Sequence, residues 1–293
     1  MKNNHLKALL VTILGVLLIS LEALFVKLTN IEALTFAFYS GIFMLISTGC
    51  ILLYNKNSIT KESNFSDNLK IVLLCGFLLG LSNIAFISAI KNTSVANAVL
   101  IFSSAPIFSA IYMYLFFREK TTKNIFVASF FILIGLFIIF SSQLGQGQMI
   151  GNIYATLAIG IFALAFVILS RYKNINMLAI LFVSSLVTIL VSFSFLNNFT
   201  IDINNLYILI LAGLITSPLA RVLMGKGTKT LPTSEVSLLM IIETIMAPVW
   251  VWLFLNEVPA STTLMGGAVI LLTLVLNSLY VLKMNKSAQL EHK

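Results

Sequence analysis

The chain has 293 residues, of which 59% are hydrophobic and only 10% are charged, and its formal net charge is +8. A soluble globular domain carries roughly 25% charged residues, so a water-exposed surface of ordinary composition cannot be built from this sequence. A lipid bilayer instead requires apolar stretches of about 20 residues for each spanning helix. The composition therefore excludes a soluble domain and predicts an all-α polytopic membrane protein.

Ten apolar segments follow one another along the chain, and most of the connections between them are short. Each segment has about the length that crosses the hydrocarbon core of a bilayer. We predict one transmembrane helix from each and number them spans 1 to 10. Their predicted bounds are 7–28, 33–54, 70–90, 94–117, 124–142, 152–170, 177–195, 206–224, 234–255 and 263–282.

The basic residues predict the orientation of these spans. With the N-terminus in the cytoplasm, only Lys27 and Lys91 among the 18 Lys and Arg residues lie on the outer side. Positive charge in short loops resists translocation, so this bias predicts an integral protein of the bacterial plasma membrane with both termini cytoplasmic. We call the face where span 1 begins the basic face and the other the opposite face. The topology explains the net charge, so no nucleic-acid partner is needed; contact with anionic lipid is the alternative role for each basic residue.

The two halves of the sequence match at a fixed offset of 138 residues. The matches favour two units, 1–145 and 146–293, with five spans each. Because five is odd, the second unit must enter the membrane from the other side, as in many secondary transporters. Duplication can also serve folding alone. The matched pairs include Lys91 and Lys229, Leu100 and Leu238, Glu119 and Glu257, Tyr112 and Trp250, and Tyr114 and Trp252.

Two stretches of sequence resemble a known family. SSAPIFSAIYMYLFFREK (103–120) and LMIIETIMAPVWVWLFLNEVPASTTLMGGAVILL (239–272) are similar to the two EamA repeats of the drug/metabolite transporter superfamily. The resemblance implies ten spans in a 5+5 inverted arrangement. It also implies a carrier for a small molecule with a central cavity lined by spans 1, 3, 4, 6, 8 and 9, and it specifies neither the substrate nor the direction of transport.

The residues that carry this resemblance lie at the ends of each half. Pro106 and Glu119 fit the first copy of the family pattern. Glu243, Glu257 and the glycine pair 266–267 fit the second copy. Thr244 stands where the second copy usually has proline, and Pro248 follows one turn later. We therefore expect any kink in span 9 to be displaced, and we expect Glu119 and Glu257 to cap or brace the helix that follows each of them.

Among the ionisable residues inside predicted spans, where a charge is costly and marks a candidate functional site, three stand out. Glu22 lies in the outer part of span 1, Arg221 in the inner third of span 8, and Glu243 near the middle of span 9. Lys27 could partly neutralise Glu22. Arg221 could bind a substrate carboxylate, although an arginine at this depth often extends to the lipid headgroups instead.

Glu243 is the strongest candidate for substrate or proton binding. A low-dielectric site favours the neutral form of a carboxyl group, so such a group can exchange a proton for a cationic or amino-bearing solute. We therefore predict a secondary transporter of an amino acid, an organic cation or a related solute, with protons as the candidate coupling ion. The alternative role for Glu243 is a hydrogen bond that holds span 9 against a neighbouring helix.

Uncharged polar residues and prolines complete the candidate site. Asn83, Asn97 and Ser104 could supply hydrogen bonds in the cavity, although contacts between helices explain them equally well. Three prolines could kink spans that face the cavity, where backbone groups can find partners. The two matched aromatic pairs fit interfacial belts or a vestibule. The three prolines are Pro106, Pro218 and Pro248.

Two other functions compete with transport: an intramembrane enzyme and a non-transporting membrane scaffold. An enzyme would need a catalytic set within the spans, yet no histidine lies in a span and the motifs G-x-S-x-G and H-E-x-x-H do not occur. A scaffold would need larger extramembrane segments than these connections provide. We therefore predict no enzymatic activity, no metal and no cofactor, and the sequence leaves monomer and homodimer open.

Overall fold

In the computed structural model, every regular element among the described residues is a helix, and those residues contain no β-strand. Within the part of the chain that the structure describes, nine helices are long and apolar enough to cross a membrane, and span 9 contributes a tenth, shorter apolar stretch, Leu239–Leu255. The prediction of an all-helical polytopic membrane protein is confirmed. The described residues are 2–54, 69–119, 123–141, 148–172, 175–196, 198–228, 231 and 233–291.

The helices follow the predicted spans, and we keep the span numbers for them. Two spans consist of more than one helical segment. The bounds are Lys2–Leu28 for span 1, Ala33–Tyr54 for span 2, Leu69–Asn92 for span 3, Val95–Phe102 and Ala105–Phe117 for span 4, Lys123–Ser141 for span 5, Met149–Ser170 for span 6, Met177–Ser194 for span 7, Ile203–Ile210, Leu211–Thr216 and Ser217–Thr228 for span 8, Thr233–Leu255 for span 9, and Ser261–Glu291 for span 10.

The second half of the chain enters the membrane from the face at which span 1 ends. Asn152, in the first turn of span 6, accepts a hydrogen bond of 2.9 Å from the Thr93 hydroxyl. Lys27, at the end of span 1, donates to the Thr93 carbonyl oxygen at 3.0 Å. Span 1 therefore ends where span 6 begins. The first helices of the two halves run in opposite directions, as the odd number of spans per half predicted.

The two halves interlock through their middle helices. Span 3 of the first half packs against spans 6 and 7, and span 8 of the second half packs against spans 1 and 2. Glycines permit this close approach. A Cβ on Gly76 would lie 2.5 Å from Val183 Cγ1, and a Cβ on Gly213 would lie 2.8 Å from the Ser40 carbonyl oxygen. The same crosswise packing thus occurs twice.

Spans 4 and 8 are interrupted at prolines. The first helix of span 4 ends at Phe102, and the second begins at Ala105 with Pro106 in its first turn. A proline fits there because a first-turn N–H has no partner within the helix. In span 8 the segment Leu211–Thr216 is a π-helix and directly precedes Ser217 and Pro218. The Ser217 N–H bonds to the Ala212 carbonyl oxygen five residues earlier, so the π-helical pattern ends directly before Pro218, which has no N–H to donate.

Spans 4 and 9, matched at the offset of 138, end with the same backbone geometry. Their last helical residues are Phe117 and Leu255. The next residues, Arg118 with φ 56° and Asn256 with φ 54°, are the non-glycine residues with positive φ among the described ones. A left-handed conformation costs an L-residue about 1–2 kcal/mol. Its presence in both copies shows that the internal repeat extends to backbone detail.

Candidate functional site

The structure brings Glu22 of span 1 and Arg221 of span 8 into an ion pair. Arg221 Nη1 donates to Glu22 Oε1 at 2.9 Å, although the two residues are 199 positions apart. The arginine side chain therefore extends toward span 1 within the bundle. It does not reach the lipid headgroups, which was the alternative. Lys27 was expected to neutralise Glu22 in part, but it pairs with Glu257 instead.

Glu243 lies within electrostatic range of this pair. It is ten residues from the start of span 9 at Thr233, or about 15 Å of helix rise, and therefore near mid-membrane. Glu243 is surrounded by protein and lies within range of the charges of Glu22 and Arg221, yet part of its surface stays accessible. Three ionisable groups that the sequence placed at different depths thus form one cluster.

The partial exposure of this cluster, together with the cost of placing charge in lipid, predicts a polar space inside the bundle. The Arg221 and Glu22 side chains are 28% and 25% exposed. Contact of these charges with hydrocarbon would be costly, so polar residues inside spans face the bundle interior or a water-filled cavity. Two carboxyl groups and one guanidinium leave one negative charge uncompensated when both carboxyls are ionised. The cluster can therefore accept a proton or one positive charge of a bound solute.

Trp250 packs toward the interior instead of lying in an interfacial belt. Its indole N–H donates to Ser20 Oγ at 2.9 Å, and its ring packs against the main apolar core. Ser20 is two residues before Glu22 on span 1, and Trp250 is two turns beyond Glu243 on span 9. The indole hydrogen bond thus fixes the two helices that carry the two carboxyl groups. Trp252 is half exposed, consistent with the expected belt.

The remaining polar candidates occupy different environments. Asn97 is fully buried, and its Oδ1 accepts from the Thr263 hydroxyl at 2.7 Å, so it joins span 4 to span 10. Ser104 is also fully buried and donates to the Ile101 carbonyl oxygen of its own span at 2.6 Å. Both therefore make helix contacts and do not line the polar space. Asn83 on span 3 is partly exposed and matches Arg221 at the offset of 138.

The three prolines lie in the predicted spans but affect them differently. Pro106 and Pro218 follow real interruptions of spans 4 and 8. Arg221 comes three residues after Pro218, so the π-helix before it helps to set the direction of the arginine. Pro248 is inside span 9, which continues as one helix to Leu255. π-Helical turns often occur at functional sites.

A network of polar contacts that the sequence did not indicate joins the helix ends at the opposite face. Glu257 Oε2 lies 3.2 Å from Lys27 Nζ, and Glu257 Oε1 accepts the backbone N–H of Val95 at 2.9 Å. Lys91 Nζ donates to the Thr29 carbonyl oxygen at 2.6 Å. Lys27 and Lys91, the two basic residues on this face, thus both have polar partners. Glu257 contacts the start of span 4, whereas we expected it to brace span 10, the helix that follows it.

The basic face differs from this arrangement. Glu119 pairs with Arg171 at the end of span 6. Residues 120–122, between Glu119 and span 5, lie outside the described residues, so its bracing of that helix stays a prediction. Spans 4 and 9 contact each other extensively through Val95–Phe102, at the opposite face. Within the described part of the chain, no comparable contact joins Ala105–Phe117 to span 9. Spans 4 and 9 therefore meet at the opposite face, and among the described residues their contact does not continue to a comparable extent toward the basic face.

Comparison with known proteins agrees with this architecture. The model of the EamA-like transporter family matches the chain twice, over residues 6–141 and 149–279. The fold is similar to that of a protein solved by crystallography, with a TM-score of 0.62 and 17% sequence identity. The match covers 94% of this chain and 98% of the other. At that identity the likeness establishes the fold alone. No match is found among the curated proteins.

Proposed function

Because this chain belongs to the EamA-like transporter family and is thus a membrane transporter of the drug/metabolite transporter superfamily, we propose that it is a secondary carrier that moves a small organic solute by alternating access. The observation that carries this proposal is the convergence of Glu22, Arg221 and Glu243 in one partly exposed cluster. A site between inverted halves near mid-membrane is where such carriers bind their substrates.

The charges of the cluster favour a substrate that bears an amine. With both carboxyl groups ionised, the cluster has one negative charge in excess, so a monocation completes it. A zwitterionic amino acid can also pair with these groups, because its carboxylate can share Arg221 with Glu22 while its ammonium group faces Glu243, but it leaves the net charge of the cluster unchanged. A monoanion would raise the uncompensated negative charge of the cluster from one to two, and a dianion would raise it to three, so we expect both to be excluded.

Glu243 is the proposed site of proton coupling. A proton on Glu243 neutralises the same excess charge that a cationic substrate neutralises. The two therefore compete, and a carrier that changes conformation only when this charge is compensated exchanges one for the other. Glu22 is less suited to this role because Arg221 already pairs with it at 2.9 Å.

Flux into proteoliposomes tests the proposal. Purified protein is reconstituted and offered amino acids, organic cations and nucleosides, with and without a pH gradient. We expect accumulation of an amine-bearing solute that depends on the gradient. Absence of flux for every solute of the panel would contradict the carrier function. A thermal-shift screen of the same solutes identifies binders, since a ligand that binds only the folded state raises the unfolding midpoint.

Glu243→Gln tests the coupling separately. The substitution keeps the shape of the side chain and removes its ionisation, so we expect proton-driven accumulation to fall to background while solute exchange continues. Glu32→Gln, at an exposed position between spans 1 and 2, is the matched control and should transport like the unmodified protein. Undiminished proton-driven accumulation by Glu243→Gln would remove this residue from the coupling mechanism.

A further inference from the structure

Glu257 connects the two halves of the molecule at the opposite face. One of its carboxylate oxygens pairs with Lys27, and the other accepts the N–H of Val95, the first residue of span 4. First-turn N–H groups have no partner within their helix and carry the positive end of its dipole. A carboxylate there makes a charge-assisted hydrogen bond, one of the stronger contacts available to a protein.

The repeat reproduces most of this arrangement at the basic face. Glu119 matches Glu257 at the offset of 138, and Thr233, the first residue of span 9, matches Val95 at the same offset. Each glutamate directly follows a residue in the left-handed conformation at the end of its helix. The chain therefore turns in the same way before both glutamates. The basic face thus has an acceptor and a helix start in corresponding positions.

Each glutamate also has a basic partner at the end of the first helix of a half. Lys27 pairs with Glu257, and Arg171 pairs with Glu119. Both ion pairs are present in the same conformation, one at each face, so the ion pairs do not distinguish the faces. Among the contacts of the described residues, the distinguishing feature is the bond between a glutamate and the start of the matched span in the other half, which is present for Glu257.

We propose that Glu257 and Glu119 are alternating latches: Glu257 holds the opposite face closed by binding the Val95 N–H, and Glu119 binds the Thr233 N–H when the basic face closes. This inference rests on the alternating-access mechanism proposed above. In the present conformation span 9 contacts span 4 near Val95, and the first latch is engaged. Transport requires the first latch to open and the second to form.

Distances between spin labels test the latches without any substrate. In a Cys50→Ser/Cys75→Ala background, labels at Leu115→Cys and Val236→Cys report on the basic face, and labels at Asn92→Cys and Ala260→Cys report on the opposite face. The full chain is measured in nanodiscs by double electron–electron resonance. Glu257→Ala should shift the population toward a longer distance at the opposite face and a shorter one at the basic face, with a change in ratio of about tenfold or more.

A second substitution makes the test specific. Adding Glu119→Ala to Glu257→Ala should return the distances toward those of the unmodified protein, because the conformation with the basic face closed loses its latch as well. Arg171→Ala removes the ion pair but keeps the Glu119 carboxylate. Adding Arg171→Ala to Glu257→Ala should therefore restore the distances much less than adding Glu119→Ala does. Glu257→Gln keeps an acceptor for Val95 and should shift the population less than Glu257→Ala. A thermal melt confirms that each variant is folded.

Several results would overturn the inference. Distances that stay the same in Glu257→Ala would show that Glu257 is not a latch. A Glu119→Ala addition that leaves the shifted population unchanged, or an Arg171→Ala addition that reverses it as fully, would exclude Glu119 as the counterpart. These outcomes are separate from the failure of the proposed function, because absence of flux with the expected distance shifts would contradict the carrier and not the latches.

Discussion

The two halves of this molecule share a framework but differ in their ionisable residues. Spans 4 and 9 begin and end at matched positions and have the same left-handed cap. At the offset of 138, however, Arg221 of span 8 matches Asn83, and Glu243 of span 9 matches Ala105. The backbone geometry that lets two halves exchange conformations is needed in both copies. A binding cluster is needed only once, so its charged residues need not be repeated, and two of the three lie in the second half.

This difference predicts that equivalent substitutions have unequal effects in the two halves, first at Arg221. Arg221→Ala leaves Glu22 without its partner, and breaking a fully buried pair costs about 3–5 kcal/mol. Because this pair is about a quarter exposed, we expect a decrease in the free energy of unfolding of about 2–3 kcal/mol. The matched substitution Asn83→Ala should change it by less than about 0.5 kcal/mol. Equilibrium unfolding in mixed detergent measures both values.

The double substitution Glu22→Gln/Arg221→Ala serves as the control for this prediction. If the cost of Arg221→Ala comes from the unpaired carboxylate, the double variant should be more stable than the sum of the two single effects predicts. Strictly additive effects would show that the pair contributes nothing, and equal effects of Arg221→Ala and Asn83→Ala would remove the difference between the halves.

The next largest effect is expected where the last spans of the two halves meet. A Cβ on Gly266 of span 10 would lie 2.6 Å from the Gly135 carbonyl oxygen of span 5, whereas a Cβ on Gly267 would lie 2.7 Å from Leu100 Cδ1. Backbone cannot move aside as the end of a leucine can. Gly266→Ala should therefore lower the free energy of unfolding by about 1–3 kcal/mol, and Gly267→Ala should cost less in the same assay. The reverse order would contradict this packing.

The smallest of these effects concerns the matched aromatic residues Trp250 and Tyr112. Trp250→Phe removes the hydrogen bond to Ser20 and should lower the free energy of unfolding by about 0.5–1.5 kcal/mol. Tyr112 packs against Phe116, and Tyr112→Phe, which keeps the ring, should change the stability by less than about 0.5 kcal/mol. Equal losses of unfolding free energy in the two variants would show that the indole hydrogen bond stabilises the second half no more than the Tyr112 hydroxyl stabilises the first.

The sequence predicted the helices well because the bilayer leaves little choice. Lipid requires every backbone polar group to be paired within the segment, so an apolar stretch of the right length must be a helix. Span 9, predicted at 234–255, is Thr233–Leu255, and span 1, predicted at 7–28, ends at Leu28. The interruptions near Pro106 and Pro218 were also indicated, because proline cannot continue the hydrogen bonding of a helix.

The sequence predicted the charged cluster only in part. Position along a span gives the depth of a residue but not the direction in which its side chain points. Glu22 and Arg221 therefore seemed separate by depth, and their long side chains meet across two helices. Asn97 is the opposite case, since its amide is satisfied by Thr263 and does not face the polar space. The latch contact of Glu257 could have been suspected only from the exact repetition of a glutamate after a helix end.

The account depends on two inverted halves that enclose one polar site, and the sidedness of Lys91 and Lys229 tests this most directly. These lysines match at the offset of 138; Lys91 lies in the last turn of span 3, and Lys229 comes directly after span 8 in the sequence. In a cysteine-free background, Lys91→Cys and Lys229→Cys are labelled one at a time with a membrane-impermeant maleimide in sealed, oriented vesicles. The account predicts that Lys91→Cys reacts from outside and that Lys229→Cys reacts only from the cytoplasmic side. Labelling of both positions from the same side would contradict the inverted arrangement and the carrier function built on it.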